Sequence, residues 1–242
     1  MGLPRVLGHR GVAALAPENT LESLRLAADL GAPGVEFDVK LTADAVPVLM
    51  HDDTLDRTTD GHGPVAAAAA AAVAGCDAGA WFAPEFKGAR VPTLAAALDL
   101  VLDRGLFANI EIKASPGTDV ATTRATCAAL CRQWPQGRPP PLLSSFSRAA
   151  LAVARYEAPE LPRGLLIWER PAEWAAAAAD LDCGSIHCAD RFLTSDWAAE
   201  IKALGFKLAV YTVNDPARAR VLFDWGVDCV ISDRPDLILA GA

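Results

Sequence analysis

Apolar and polar residues alternate along the chain in an order that predicts short strands separated by longer helices. The first predicted strand covers residues 5–8, and a helix follows that begins at Asn19 or Thr20 and ends near Gly31. The next strand covers residues 35–39. Its apolar residues recur with period two, whereas those of the helix recur three or four positions apart. This β-α-β order favours parallel strands, which need a long connection between them.

The same alternation continues from Thr93 to the end of the chain. Helices are predicted at residues 93–103, 118–134, 148–158, 172–180, 196–204 and 216–225, with a terminal helical turn from Pro235, and strands at residues 107–113, 141–145, 164–168, 185–187, 207–213 and 228–231. Eight strands, each followed by a helix, in a chain of 242 residues are typical of an α/β fold of the (β/α)8 TIM-barrel type. An open doubly wound sheet is the alternative, but no glycine-rich phosphate loop follows the first strand.

The alternation is interrupted between residues 52 and 92. This segment contains the turn signals Asp60-Gly61 and Gly63-Pro64 and a run of alanines at residues 66–72. It is too long for an ordinary connection between a strand and a helix, and alanine favours helix. We therefore predict a single TIM-barrel domain over residues 1–242, with residues 52–92 forming an inserted subdomain after the second strand that has its own short helix.

Charge and cysteine content narrow the classes of function. The net charge of −8 argues against nucleic-acid binding. It also means that an anionic substrate would have to be attracted by local positive charge. No long apolar stretch precedes the first motif, which predicts neither a signal peptide nor membrane insertion. The six cysteines lack a zinc-type spacing and are interpreted as free thiols. We expect a cytoplasmic protein, and the sequence leaves its oligomeric state open.

Three carboxylates are candidates for a metal site. Glu36 and Asp38 lie two positions apart in one strand and therefore point to the same face. Close carboxylates repel and raise one pKa, and a divalent cation between them would remove that repulsion. Glu111, in the next strand, adds a third oxygen ligand, and an all-oxygen set suits Mg²⁺ or Ca²⁺. The alternative is a set of salt bridges from these carboxylates to Arg10 and Lys113.

Two histidines follow strand ends near these carboxylates. His9 comes directly after the first strand, and His51 follows a short apolar run at residues 45–50. Imidazoles titrate near neutrality and can act as a general acid and base, while Arg10 and Lys113 can hold phosphate oxygens. His62 is given no role. Weaker candidates for lining a substrate pocket, each of which could equally be a packing residue, are Phe146, His187 and Tyr211.

The candidate residues belong to an ordered set of motifs that resembles the glycerophosphodiester phosphodiesterase family. The first half of the chain carries His9-Arg10-Gly11, Pro17-Glu18-Asn19-Thr20, Glu36-Phe37-Asp38, His51-Asp52, Arg57-Thr58, Gly61 and Glu111-Ile112-Lys113. The second half looks like the cytoplasmic bacterial branch linked to glycerol-3-phosphate uptake, through Ser144-Ser145-Phe146, Pro162-Arg163-Gly164-Leu165-Leu166, Ser185-Ile186-His187, Tyr211-Thr212-Val213-Asn214 and Trp225-Gly226-Val227-Asp228.

The resemblance implies a TIM barrel with an insertion after its second strand and a metal-dependent phosphodiesterase. Many members of the family have Trp where this chain has Tyr211, so the resemblance does not define the shape of the glycerol pocket. The implied roles are metal binding by Glu36, Asp38 and Glu111, acid-base catalysis by His9 and His51, and phosphate contact by Arg10 and Lys113.

The implied reaction is hydrolysis of a glycerophosphodiester, such as glycerophosphocholine or glycerophosphoethanolamine, to sn-glycerol 3-phosphate and an alcohol. The sequence leaves open which histidine is the acid, and whether a glycerol hydroxyl attacks through a cyclic phosphate or water attacks directly. The alternatives are a phospholipase D-like or sphingomyelinase D-like lipid phosphodiesterase and a non-catalytic barrel that binds glycerophosphodiesters.

Overall fold

The structure is a computed structural model and describes residues 2–241. Nine strands form its sheet: β1 (Val6–His9), β2 (Gly34–Leu41), β3 (Pro47–Leu49), β4 (Phe107–Ile112), β5 (Leu142–Ser145), β6 (Arg163–Ile167), β7 (Ser185–Ala189), β8 (Lys207–Tyr211) and β9 (Cys229–Ser232). All except β3 are parallel to their neighbours, and β1 pairs with both β2 and β9. The eight parallel strands therefore close into a barrel, and the predicted TIM-barrel fold is confirmed.

Helices follow the strands and cover the outside of the barrel. Their bounds are α1 (Leu21–Asp29), α2 (Ala70–Gly75), α3 (Leu94–Asp103), α4 (Asp119–Gln133), α5 (Arg148–Glu157), α6 (Trp174–Asp180), α7 (Ser195–Ala203), α8 (Pro216–Asp224) and α9 (Pro235–Ala240). Apart from the alanine run, the predicted bounds of the strands and helices agree with the observed ones to within two residues. Within residues 2–241, none of the helices combines the length and the apolar character needed to cross a bilayer.

Polar side chains fix where several helices begin. Thr20, rather than Asn19, caps α1 by accepting a hydrogen bond from the Ser23 amide. Thr93 caps α3 in the same way. Such caps satisfy amides that have no partner inside the helix. The Asn19 side chain therefore does not cap this helix. Its left-handed backbone, with φ of 57°, turns the side chain toward β2.

The two faces of β2 separate the core from the site. Val35, Phe37 and Val39 are completely buried in an apolar cluster that includes Leu24 of α1 and Leu98 of α3. The intervening side chains of this strand point into the barrel, because successive residues of a strand face opposite sides. The predicted alternation of this strand is confirmed.

The apolar run before His51 forms an outer hairpin instead of a barrel strand. β3 pairs antiparallel to the end of β2, with Leu49 opposite Val39, and the Met50 amide donates a hydrogen bond to the Asp38 carbonyl. The chain therefore turns back toward the barrel mouth. This return brings His51 beside the end of β2.

The segment 52–92 packs its apolar side chains against the end of the preceding hairpin. Leu55, Val65 and Val73 of this segment are buried together with Val48 of β3 and Met50. The alanine run at 66–72 does not form one helix, because a short 3₁₀ turn ends at Ala67 and α2 begins at Ala70. That these residues form a distinct subdomain stays a prediction.

Candidate active site

Three carboxylates meet inside the barrel mouth. Strand pairing places Asp38 beside Glu111 and Glu36 beside Asn109. One carboxylate oxygen from each of Glu36, Asp38 and Glu111 lies within 4.8 Å of the other two, and all three side chains are buried. The structure thus brings together the three predicted ligands on two adjacent strands.

The carboxylates are not balanced by their positive neighbours. Lys113 Nζ lies 2.8 Å from Glu111 Oε1 and 3.6 Å from Asp38 Oδ1, and Arg10 Nε lies 3.2 Å from Asp38 Oδ2. These are the salt bridges offered by the alternative interpretation. Glu36, however, receives a hydrogen bond from the Arg10 amide alone, at 3.1 Å. The two basic side chains therefore form salt bridges with only two of the three carboxylates, and the third has no charged partner among residues 2–241.

The pKa values reflect this shortage of positive charge. Burial and the charges of Asp38 and Glu111 raise the pKa of Glu36 well above its usual value. Burial and the charge of Asp38 raise the pKa of Glu111 to about 7. Burial also acts to raise the pKa of Asp38, but the charges of Arg10 and Lys113 hold it below its usual value. A buried, oxygen-only, electron-rich cluster of this kind fits a hard divalent cation.

The loop after β1 holds Asp38 in place. Asn19 donates to Asp38 Oδ2 at 2.9 Å and accepts from the Asp38 amide at 3.1 Å. Arg10, whose φ is 50°, donates to Glu18 Oε1 at 2.7 Å. Left-handed backbone is uncommon outside glycine and marks constrained, often functional positions. Both Arg10 and Asn19 use it to turn toward the carboxylates.

His9 is held by a carboxylate at its Nδ1 atom. Asp233, which follows β9, lies 2.6 Å from His9 Nδ1. Asn214 donates to the other oxygen of Asp233 at 2.9 Å and accepts from the Asp233 amide at 2.8 Å. His9 also lines one small cavity together with Glu36 and Glu111. Its ring is therefore oriented by Asp233, next to the carboxylate cluster.

His51, which follows the β3 hairpin, is held in the same way. Asp52 Oδ1 lies 2.6 Å from His51 Nδ1, and Arg57 donates to both oxygens of Asp52 at 2.6 and 2.9 Å. The same guanidinium donates to both oxygens of Glu18 at 2.8 and 2.9 Å. Burial lowers the pKa of His51 despite the opposing charge of Asp38. A continuous ionic chain therefore links His51 to Glu18 and onward to Arg10.

Aromatic side chains from β8 and from the residues after β5 occupy another part of the mouth. The Phe146 ring, 43 % exposed, lies 5.5 Å from Lys113 Nζ and meets the Tyr211 ring edge-on at 6.1 Å. The Tyr211 hydroxyl donates to the Ile167 carbonyl at 3.0 Å. Tyr211 also lines the small cavity that contains His9. Both aromatic candidates thus lie at the mouth.

His187 is placed differently. It is buried and shares a hydrogen bond of 3.0 Å with Ser185, and a Cβ at Gly164 would lie 2.6 Å from its Nε2 atom. Burial lowers its pKa to about 4. His187 is not among the side chains that line the cavity beside His9. It packs against β6 as a neutral core residue.

Cavity size alone would misplace the site. A concavity of about 660 Å³ lies at the opposite end of the barrel, against Arg163 and Lys207, where β6 and β8 begin. The cavity beside His9 measures only about 20 Å³. Because active groups of this fold collect where the strands end, we assign the candidate active site to the mouth that holds His9.

Four contributing residues received no role from the sequence. Asp233 and Asn214 follow the last two strands, and their position at strand ends was their only signal. Glu18 and Arg57 belong to the motifs, but their pairing joins segments 39 residues apart and has no local signature.

Comparison with known proteins agrees with the motifs. The sequence model of the glycerophosphoryl diester phosphodiesterase family matches residues 9–237. A glycerophosphodiester phosphodiesterase of Caldanaerobacter subterraneus is 32 % identical, with 97 % of this chain and 96 % of that protein covered. One from Bacillus subtilis is 31 % identical, with coverage of 96 % and 84 %.

Solved structures extend this likeness to the fold. The structure of an Oleispira antarctica phosphodiesterase in complex with the product sn-glycerol-3-phosphate superimposes with a TM-score of 0.96 and 38 % identity. The alignment covers 99 % of this chain and 96 % of that one. On this evidence the chain belongs to the glycerophosphoryl diester phosphodiesterase family.

Proposed function

We propose that the protein hydrolyses glycerophosphodiesters to sn-glycerol 3-phosphate and an alcohol, with a divalent cation and two histidines. The observation that carries the proposal is the arrangement of two imidazoles, each fixed at Nδ1 by a carboxylate 2.6 Å away, around one cluster of buried carboxylates. The relative from Oleispira antarctica, solved with sn-glycerol-3-phosphate as product, supports the identity of the product.

Glu36, Asp38 and Glu111 would hold the cation, either Mg²⁺ or Ca²⁺. When bound, it would neutralise charge on the phosphate and make an attacking hydroxyl more acidic. Arg10 and Lys113 add positive charge beside the same carboxylates and would contact the phosphate oxygens. Phe146 and Tyr211 would contact the apolar surface of the glycerol.

The two histidines would move protons at their Nε2 atoms. Because each Nδ1 is held by a carboxylate, the ring has a fixed tautomer and orientation. Neither Nε2 makes a hydrogen bond with any residue from 2 to 241. One imidazole would remove a proton from the attacking hydroxyl, of water or of the glycerol itself, and the other would protonate the leaving alcohol.

A coupled assay for sn-glycerol 3-phosphate tests the proposal. We expect release from glycerophosphocholine or glycerophosphoethanolamine, its loss with a chelator, and its recovery with Mg²⁺ or Ca²⁺. His9→Ala and His51→Ala should each lose about 10²- to 10⁴-fold in kcat. His62→Ala is the matched control, since His62 is exposed and pairs with Asp56. Near-normal turnover by either of the first two variants, or faster turnover of a lysolipid, would contradict the proposal.

A further inference from the structure

Two polar side chains beside the carboxylates have no hydrogen-bond partner among residues 2–241. Asn109 on β4 and Ser144 on β5 are both 0 % exposed. Neither polar atom of the Asn109 amide, nor the Ser144 hydroxyl, makes a hydrogen bond with any residue from 2 to 241. Both side chains line the cavity of about 20 Å³ beside His9.

Such groups call for an explanation, because buried polar atoms in folded proteins are almost always hydrogen-bonded. A residue that only filled space here would be apolar, like Leu166 and Ile231, which line the same cavity. A cavity holds one water molecule when it offers about 10–15 Å³ and two to four polar partners. This cavity meets both conditions.

The register of the strands points these groups at two of the candidate ligands. Asn109 lies beside Glu36 across the β2–β4 pair, and Ser144 lies beside Glu111 across the β4–β5 pair. Glu36 and Glu111 line the same cavity. The amide and the hydroxyl would donate hydrogen bonds to a water molecule bound there. The water would in turn donate hydrogen bonds to the carboxylate oxygens.

We propose that Asn109 and Ser144 bind one ordered water molecule in this cavity and, through it, orient the carboxylates of Glu36 and Glu111 for the cation. This inference rests on the cation of the proposed function. Asn109 and Ser144 are positioning residues, since they would act on the cation through the water molecule and the carboxylates. They resemble in role the outer partners that fix ligands at other metal centres.

Asn109→Leu and Ser144→Ala test the proposal, because each removes the polar group with little change in volume. Cation affinity is measured by titration calorimetry with Mg²⁺ and with Ca²⁺, without substrate. We expect each variant to bind about 10- to 100-fold more weakly than the wild type. In chelator, both variants should unfold within a few degrees of the wild type, because neither substitution removes a hydrogen bond to any residue from 2 to 241.

Thr126→Val is the matched control. Thr126 is a buried hydroxyl on α4 that donates to the Thr122 carbonyl, and its variant should keep full cation affinity. If Asn109→Leu fails to fold, the smaller Ser144→Ala change still decides. A crystal structure of the wild type with Mg²⁺ should show a water molecule within hydrogen-bond distance of Asn109 and Ser144.

The outcomes separate this inference from the proposed function. Cation binding by wild type and variants alike would overturn the inference alone. A raised KM in the variants with unchanged cation affinity would mean that the cavity receives a substrate hydroxyl, and would overturn it as well. If the wild type binds neither cation, the cation of the proposed function is wrong, and the inference fails with it.

Discussion

Glu111→Gln should stabilise the metal-free protein while abolishing its function. In the folded protein the pKa of Glu111 rises from 4.5 to about 7, which at about 1.4 kcal/mol per pKa unit is roughly 3 kcal/mol. A carboxyl group with a raised pKa binds its proton more tightly in the folded state. Its cost to stability therefore begins above pH 4.5 and is complete only above pH 7. Gln keeps the shape and removes this cost.

The test compares thermal unfolding of both proteins in chelator at pH 5 and pH 8.5. At pH 8.5 we expect the variant to unfold roughly 6–12 °C higher, from about 2–4 °C per kcal/mol for a chain of this size. At pH 5 less than about 1 kcal/mol of the difference should remain. Cation at a hundred times its Kd should add about 2.7 kcal/mol to the wild type and much less to the variant.

Glu85→Gln provides the control, because Glu85 is an exposed residue of the inserted segment. Its substitution should not change the dependence of stability on pH. The reasoning would be refuted if Glu111→Gln were no more stable than the wild type at pH 8.5, or if its advantage were equally large at pH 5. The first result would mean that Lys113 already balances the Glu111 charge, and the second that the gain in stability does not come from removing an ionised carboxylate.

Three further predictions concern the groups around the site. Arg57→Ala should lower kcat about 10- to 100-fold without changing cation affinity. Asp52 would lose both hydrogen bonds from Arg57 that hold it against His51. Arg124→Ala, which breaks only an exposed pair with Glu157, is the control and should change neither kcat nor cation affinity in the kinetic and calorimetric assays. Asp233→Asn should lower kcat about 10²-fold or more while leaving the unfolding temperature within a few degrees, because an amide no longer fixes the His9 tautomer; an unchanged kcat would remove Asp233 from the site. His187→Gln should keep normal turnover and lose less stability than the wild type below pH 6.5. A histidine whose pKa is lowered from 6.5 to about 4 contributes stability that is lost as the pH falls from 6.5 to 4. Urea unfolding at pH 5 and pH 7 measures the difference in stability.

The sequence predicts best where one physical constraint decides the structure. The alternation of β2 is readable because its outer side chains must enter the apolar core, which leaves Glu36 and Asp38 inside the barrel. The position of Glu111 follows because neighbouring parallel strands end at the same mouth. The fold and the carboxylate cluster could therefore be predicted together.

Other features depend on choices that only the tertiary structure makes. The run before His51 has the same apolar signal whether it joins the barrel or forms a hairpin, so its antiparallel pairing with β2 could not be read from the sequence. The bidentate contacts of Arg57 with both Glu18 and Asp52 join segments that approach only after the barrel closes. That Asn109 and Ser144 make no hydrogen bond with residues 2–241 can be recognised only when the packing around both side chains is known.

The positions of the charged and aromatic side chains around the barrel mouth indicate how a bound phosphodiester would be oriented. The three carboxylates, the two histidines and both basic groups come from β1, the β2–β3 hairpin, β4 and the residues that follow them. Phe146, which follows β5, and Tyr211, which ends β8, belong to the remaining part of the mouth. An ionised phosphate is stabilised only on the charged side, whereas the carbon skeleton of glycerol loses little by contact with aromatic rings. In our proposal the phosphorus atom therefore lies over the carboxylates, and the glycerol points toward Tyr211. Since the Phe146 ring meets both Lys113 and Tyr211, it stands at the boundary between the two sides, where the phosphate joins the glycerol.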